Sequence, residues 1–122
     1  SWYLKALVTK GKQSEKALTK NPKQKADPEK LIFGHHFTDH MLVAEWDRLA
    51  GWEAPEIRPF GNLSIPPASP CLHYAAECFE GLKAYKDGDG RVRMFRPHMN
   101  IRRLLTSSQR LLLPVSHIRV CN

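Results

Sequence analysis

Leu82-Lys83-Ala84-Tyr85-Lys86-Asp87-Gly88-Asp89-Gly90-Arg91-Val92-Arg93-Met94-Phe95-Arg96-Pro97-His98-Met99-Asn100-Ile101 is the stretch whose reading sets the fold class. Two Asp-Gly pairs lie between segments 82–86 and 92–95, and Asp-Gly readily adopts the left-handed backbone that a tight hairpin requires. Pro97 suits the first position of a helix, where a missing N–H loses no hydrogen bond. The apolar stripe of that helix is Ile101, Leu104, Leu105, Leu111 and Leu112, with Pro114 closing it. A hairpin feeding an amphipathic helix predicts an α+β domain, a sheet with flanking helices.

Working outward, residues 72–79 give a short helical pattern that Gly81 can end at its C′ position. Pro66-Pro67-Ala68-Ser69-Pro70 reads as loop, and 57–65 as an extended piece punctuated by Pro59 and Gly61. Alternation predicts a strand starting near residue 31. Phe33, His35, Phe37, Asp39, Met41 and Val43 would share one face, and Ile32, His36, Thr38, His40, Leu42 and Ala44 the other. Residues 1–30 are too polar to bury a core and read as a flexible basic leader. The expected organisation is leader 1–30, folded domain 31–114 and a tail at 115–122 with no acidic residue and no helical period.

The formal charge of +7 resolves once it is divided along the chain. Residues 1–25 hold seven Lys and one Glu, which leaves twelve basic and eleven acidic residues in 26–122, or +1. A basic tail on a nearly neutral domain, without interleaved aromatics, argues against a nucleic-acid partner. No apolar run approaches the roughly 20 residues that span a bilayer, so a soluble protein without a membrane partner is expected. Cys71, Cys78 and Cys121 have neither a disulfide framework nor zinc spacing, which fits a reducing compartment.

Several residues could carry chemistry. Arg102 and Arg103 lie off the apolar stripe at about 100° per residue. They are either a solvated pair or a phosphate anchor, since a guanidinium can make bidentate bonds to phosphate oxygens. Tyr74, between a proline loop and a short helix, suits packing more than ligand binding. Lys83 is the one lysine embedded in a patterned motif. His35, His36, Asp39 and His40 offer ligand types without a standard metal spacing, so no metal is expected. Glu77 and Glu80, three apart on the expected helix, could be posed as an acid/base pair.

The runs Leu72-His73-Tyr74-Ala75-Ala76-Glu77-Cys78-Phe79-Glu80-Gly81-Leu82-Lys83-Ala84-Tyr85, Arg93-Met94-Phe95-Arg96-Pro97-His98-Met99-Asn100-Ile101-Arg102-Arg103-Leu104 and Phe33-Gly34-His35-His36-Phe37-Thr38-Asp39-His40-Met41-Leu42 carry a resemblance. They resemble the N-terminal half of branched-chain amino-acid aminotransferases, pyridoxal-phosphate enzymes of fold type IV. The resemblance covers about residues 21–114 and is close from Phe33 onward.

It implies the small N-terminal domain of that fold, here incomplete, with Arg103 binding the phosphate of pyridoxal 5'-phosphate. Arg102 falls on a position the family does not use. Phe33 and Tyr74 would bind substrate by lining the pocket for its aliphatic side chain, and Tyr74 would also reach the partner subunit's active site. Lys83 becomes a structural residue, because the family's Schiff-base lysine would lie beyond Asn122, and no catalytic residue is expected in this chain. Glu80 reads as part of the Phe-Glu-Gly turn and Glu77 as surface.

The implied activity, in a full-length form, exchanges the amino group of leucine, isoleucine or valine with 2-oxoglutarate in a homodimeric enzyme of cytoplasm or mitochondria. The 122-residue chain would be inactive alone. The alternative is a non-catalytic truncated isoform that binds full-length subunits or another protein.

Overall fold

The computed structural model describes residues 15–115, which belong to two units divided between Ser64 and Ile65. Residues 1–14 of the expected leader and 116–122 of the expected tail lie outside the described residues.

The unit ending at Ser64 is built from short strands: β1 (Glu15–Lys16), β2 (His40–Val43), β3 (Trp46–Asp47), β4 (Gly51–Trp52) and β5 (Glu56–Pro59). A three-stranded sheet has the order β1-β5-β2. β2 runs antiparallel to β5, pairing His40 with Pro59 and Val43 with Glu56, while β1 runs parallel to β5, pairing Glu15 with Glu56 and Lys16 with Ile57. Pro59 is tolerated in the central strand because β1 reaches only to Ile57, so Pro59 has a ladder neighbour on one side alone.

The expected leader is therefore held to the sheet from residue 15. Ala17 N–H donates to the Ile57 carbonyl at 2.8 Å, Thr19 N–H to His40 Nε2 at 3.0 Å and Lys23 N–H to Asp39 Oδ1 at 3.2 Å. Composition misses this because backbone donors need acceptors, not apolar side chains.

The strand expected from residue 31 begins only at His40. Ahead of it, His35 N–H donates to the Ile32 carbonyl at 3.1 Å and Gly34 has φ of 78°, a turn with glycine at the position that demands positive φ. His36 consequently leaves the predicted strand face and turns back on Ile32, whose N–H donates to its Nδ1 at 3.1 Å. Phe37 stacks on Phe60 with centroids 4.8 Å apart. The β3–β4 hairpin was not foreseen in the sequence. Asp47 Oδ1 accepts from Leu49 N–H and Ala50 N–H at 2.7 and 2.9 Å, and Gly51 follows at φ 75°.

In the unit beginning at Ile65, α1 spans Pro70–Tyr74. Pro70, expected in loop, starts this helix after Ser69, whose Oγ donates to the Pro66 carbonyl at 2.7 Å. The helix ends at Ala75 in the left-handed conformation, φ 49°, well before Gly81. Residues 76–80 are extended instead of helical: Ala76, Cys78 and Glu80 are half-buried while Glu77 and Phe79 are exposed, the period-two alternation of an extended chain. Glu77 and Glu80 thus share no helix face.

The hairpin expected at 82–95 is present, with β6 (Ala84–Lys86) antiparallel to β7 (Val92–Met94). Its turn joins Gly90 N–H to the Asp87 carbonyl at 3.0 Å and closes through Asp87 N–H to the Arg91 carbonyl at 2.9 Å. Gly90, φ 79°, takes the left-handed position of the bulge.

Helix α2 (Pro97–Arg110) starts at the expected proline. Its half-buried face is Pro97, Asn100, Ile101, Leu104 and Ser108, at helical spacing. Leu111 and Leu112, expected on the stripe, lie past its end. Leu113 N–H donates to the Ser108 carbonyl and Leu112 N–H to the Gln109 carbonyl, with Leu112 at φ 54°. That pair of bonds is a Schellman motif with leucine where glycine is usual.

The mixed helix and sheet content is α+β. Among the described residues Pro55 alone is buried, and no large apolar side chain is.

Candidate functional site

The extended segment 76–81 lies antiparallel along α2. Cys78 Sγ is 3.4 Å from Ser108 Oγ, Glu80 meets Arg103 and Asn100, and the Gly81 carbonyl accepts from Asn100 Nδ2 at 2.6 Å. The lengths agree: three extended steps cover about 10 Å, and eight helical steps from residue 108 to 100 about 12 Å. The match lets both ends of the segment bond the same helix.

Arg103 is the predicted cofactor residue, and its guanidinium is forked onto a carboxylate. Nε donates to Glu80 Oε2 at 2.9 Å and Nη2 to Glu80 Oε1 at 2.7 Å. Asn100 Nδ2 adds a third bond to Glu80 Oε1 at 3.2 Å. The side chain of Arg103 remains 58% exposed while that of Glu80 is 17% exposed, so the carboxylate is the inner member of the pair. The Arg103 hydrogen bond, reinforced by Asn100, holds the Glu80 carboxyl below its ordinary range against the opposing effect of burial. Glu80 in turn pushes Arg103 further above its already high value.

A guanidinium has five N–H donors. Glu80 takes Nε–H and one Nη2–H, the side-on fork. Both Nη1 hydrogens and the second Nη2 hydrogen meet no acceptor among the described residues. They form an end-on edge that fits two oxygens of a phosphate, so the donor set is compatible with the cofactor group the sequence implies.

Tyr74 ends α1 in the same unit, 83% exposed and edge-on to His73, whose Nε2 lies 2.6 Å from the Pro67 carbonyl. Phe33 belongs to the other unit, fully exposed in the turn ahead of β2. Arg102 is exposed, its side chain meets no partner among the described residues, and Thr106 Oγ1 donates to its backbone carbonyl at 3.0 Å. Lys83 is exposed just before β6, without the apolar enclosure that activates an amine nucleophile. His36 and His40 are each engaged by a backbone N–H, and no three metal-ligating side chains group among the described residues. No described helix is long and apolar enough to cross a membrane.

Sequence reasoning missed Glu80 and Asn100. The signal was available in the helix: Asn100 and Arg103 are three apart, so both can face one acceptor alongside it.

No family model matches the chain. Curated relatives do. The chain is 53% identical over 96 residues to a branched-chain-amino-acid aminotransferase of Monosiga brevicollis, covering 79% of this chain and 25% of the relative. It is 54% identical to the cytosolic branched-chain-amino-acid aminotransferase of Mus musculus, covering 76% and 24%, and 54% identical to the mitochondrial one, covering 80% and 25%. The chain spans about a quarter of the length of these relatives.

Proposed function

Since the curated homologues of this chain are branched-chain-amino-acid aminotransferases, we propose that it supplies the cofactor-phosphate contact and aromatic pocket residues of such an enzyme. The observation that carries this reading is identity at more than half of the aligned positions across four-fifths of the chain. In that reading the chain is part of the small N-terminal domain of fold type IV, in a homodimer of cytosol or mitochondria. The full-length enzyme exchanges the amino group of leucine, isoleucine or valine with 2-oxoglutarate.

Bound pyridoxal 5'-phosphate supplies the electron sink for this chemistry. The residues here bind and orient. Arg103 holds the phosphate through its end-on edge, fixing the cofactor while protons move elsewhere. Phe33 and Tyr74 each offer an exposed aromatic surface to an aliphatic side chain, which gains about 25 cal/mol per Å² of apolar area removed from water. Such surfaces give a charged side chain no partner. They separate leucine from valine only modestly, one methylene being worth about 1–3 kcal/mol in a pocket.

The test is made in a full-length aminotransferase chain carrying these residues. Arg103→Ala is expected to weaken pyridoxal 5'-phosphate binding at least tenfold, on the order of one lost charge-assisted hydrogen bond. Arg102→Ala, about 100° away on the helix, should change it little. Equal losses, or a larger loss at Arg102, would withdraw the assignment. The 122-residue chain alone should make no glutamate from leucine and 2-oxoglutarate. Activity abolished by Lys83→Ala would overturn the structural role of that lysine.

A further inference from the structure

We infer that Glu80 is the positioning residue for Arg103, and that Asn100 locks Glu80 in place, so that three side chains on two elements present one guanidinium edge to a phosphate. The inference rests on the reading of Arg103 as the phosphate contact and goes beyond it by assigning what holds that contact in register.

An arginine projecting from a solvated helix face samples many rotamers, and freezing it on a ligand opposes binding. Here the freezing has already occurred. Glu80 receives Nε–H and Nη2–H at 2.9 and 2.7 Å, which fixes the guanidinium plane and leaves the end-on edge facing away from the carboxylate. The carboxylate is itself fixed, because Asn100 Nδ2 bonds both Glu80 Oε1 and the Gly81 carbonyl. Alternation along 76–80 turns Glu80 toward α2, and Cys78, two residues earlier, reaches Ser108 on the same helix. Ser108 Oγ already donates its single hydrogen to the Leu104 carbonyl at 2.9 Å, so the Cys78 thiol is the donor in that contact. Segment 78–81 is thus pinned at both ends, with Glu80 between the pins.

The opposite role is physically available. A carboxylate beside a phosphate repels it, and Glu80 could compete for the guanidinium instead of aiming it. The two roles predict opposite signs for one substitution. A positioning carboxylate makes Glu80→Gln weaken phosphate binding, whereas a competitor makes it tighten.

The experiment compares pyridoxal 5'-phosphate with phosphate-free pyridoxal in the full-length aminotransferase chain, measuring both dissociation constants for the parent, Glu80→Gln, Arg103→Ala and the double variant. Glu80→Gln is expected to weaken pyridoxal 5'-phosphate about tenfold, on the order of one charge-assisted bond, and to leave pyridoxal unchanged. In the Arg103→Ala background it should add little, since there is no guanidinium left to aim. Equal weakening toward both ligands would make Glu80 a structural residue and overturn the inference, as would tightening toward pyridoxal 5'-phosphate. If Arg103→Ala weakens pyridoxal 5'-phosphate but Glu80→Gln does not, the positioning role fails alone. If Arg103→Ala has no effect, the phosphate reading fails and the positioning role with it.

Discussion

Among the described residues the two units solve the same problem, order without a buried core, by different means. In residues 15–64 the backbone does most of it: β5 is paired on both sides, and the leader adds main-chain donors to the same sheet. In residues 65–115 the β6–β7 ladder and α2 are supplemented by side chains, with Glu80, Asn100 and Arg103 fastening an unpaired extended segment to α2, and Asp87 fastening the hairpin turn. Backbone ladders are indifferent to charge. Side-chain clamps are not, so the order of residues 65–115 depends more on ionisation.

The largest expected difference appears in acid and salt. Glu80 is held below its ordinary value of 4.5 chiefly by the Arg103 hydrogen bond, and Asp87 below 3.8 chiefly by that of Arg93. With depressed folded values, the unfolded chain takes up protons first as pH falls. Their stabilising effect is complete above the ordinary values and disappears as pH drops through the lowered folded ones.

Asp47 is also lowered, but by the backbone N–H groups of Ala50 and Leu49. Chemical shifts at neutral pH should therefore move with about 1 M salt at residues 78–81 and 87–93, while those of the Asp47 turn change little, because an exposed ion pair is screened at that ionic strength. Equal salt sensitivity in both places would erase the contrast. Glu80→Ala should reproduce the salt effect at 78–81 alone.

A smaller effect tests the hairpin. Gly90→Ala should destabilise the β6–β7 pair by about 1–2 kcal/mol, the strain of placing an L side chain in the left-handed region. The new Cβ would lie 3.5 Å from Lys86 Cε, an ordinary contact, so φ of 79° is the cause rather than crowding. The chemical shifts of Ala84–Lys86 and Val92–Met94 report it; an undisturbed hairpin would refute the strain argument.

The smallest is a gain. Leu112→Gly relieves a left-handed leucine that is 92% exposed and has little packing to lose. Strain relief of about 1–2 kcal/mol, less glycine's extra chain entropy of about 0.5–1, leaves roughly 0.5–1 kcal/mol for the end of α2. Thermal melts should move upward; a downward shift would mean that Leu112 packs in a way its exposure does not suggest.

How much of this was legible depended on whether a residue's local preference matched its structural task. Asp87-Gly88-Asp89-Gly90 announces a turn and forms one, and Pro97 announces a helix start and provides it. The strand boundary near residue 31 failed because Gly34 spends its positive φ on a turn, resetting the alternation before His40. The helix at 72–79 failed because Ala75, which has no intrinsic taste for left-handed backbone, ends it where Gly81 was the obvious stop.

At the proposed site, Arg103 stands out in the sequence through its motif. Its partner does not, because Glu80 looks like one more turn residue until the extended chain is laid beside the helix. Phe33 and Tyr74 are each exposed aromatics, and only the motif resemblance singles them out.

The parallel pairing of β1 with β5 has a consequence for the order of assembly. Glu15 and Glu56 are about forty residues apart in the chain, whereas the β6–β7 hairpin closes across five. Each doubling of a loop adds about 0.6 kcal/mol of closure entropy, so the longer one is disfavoured by roughly 2 kcal/mol, and it gains two ladder positions among the described residues. During folding, or as the chain leaves the ribosome, β2 and β5 must already be paired before residues 15 and 16 find an edge to join. Strand β1 is thus the last piece of its sheet to arrive and the first to depart.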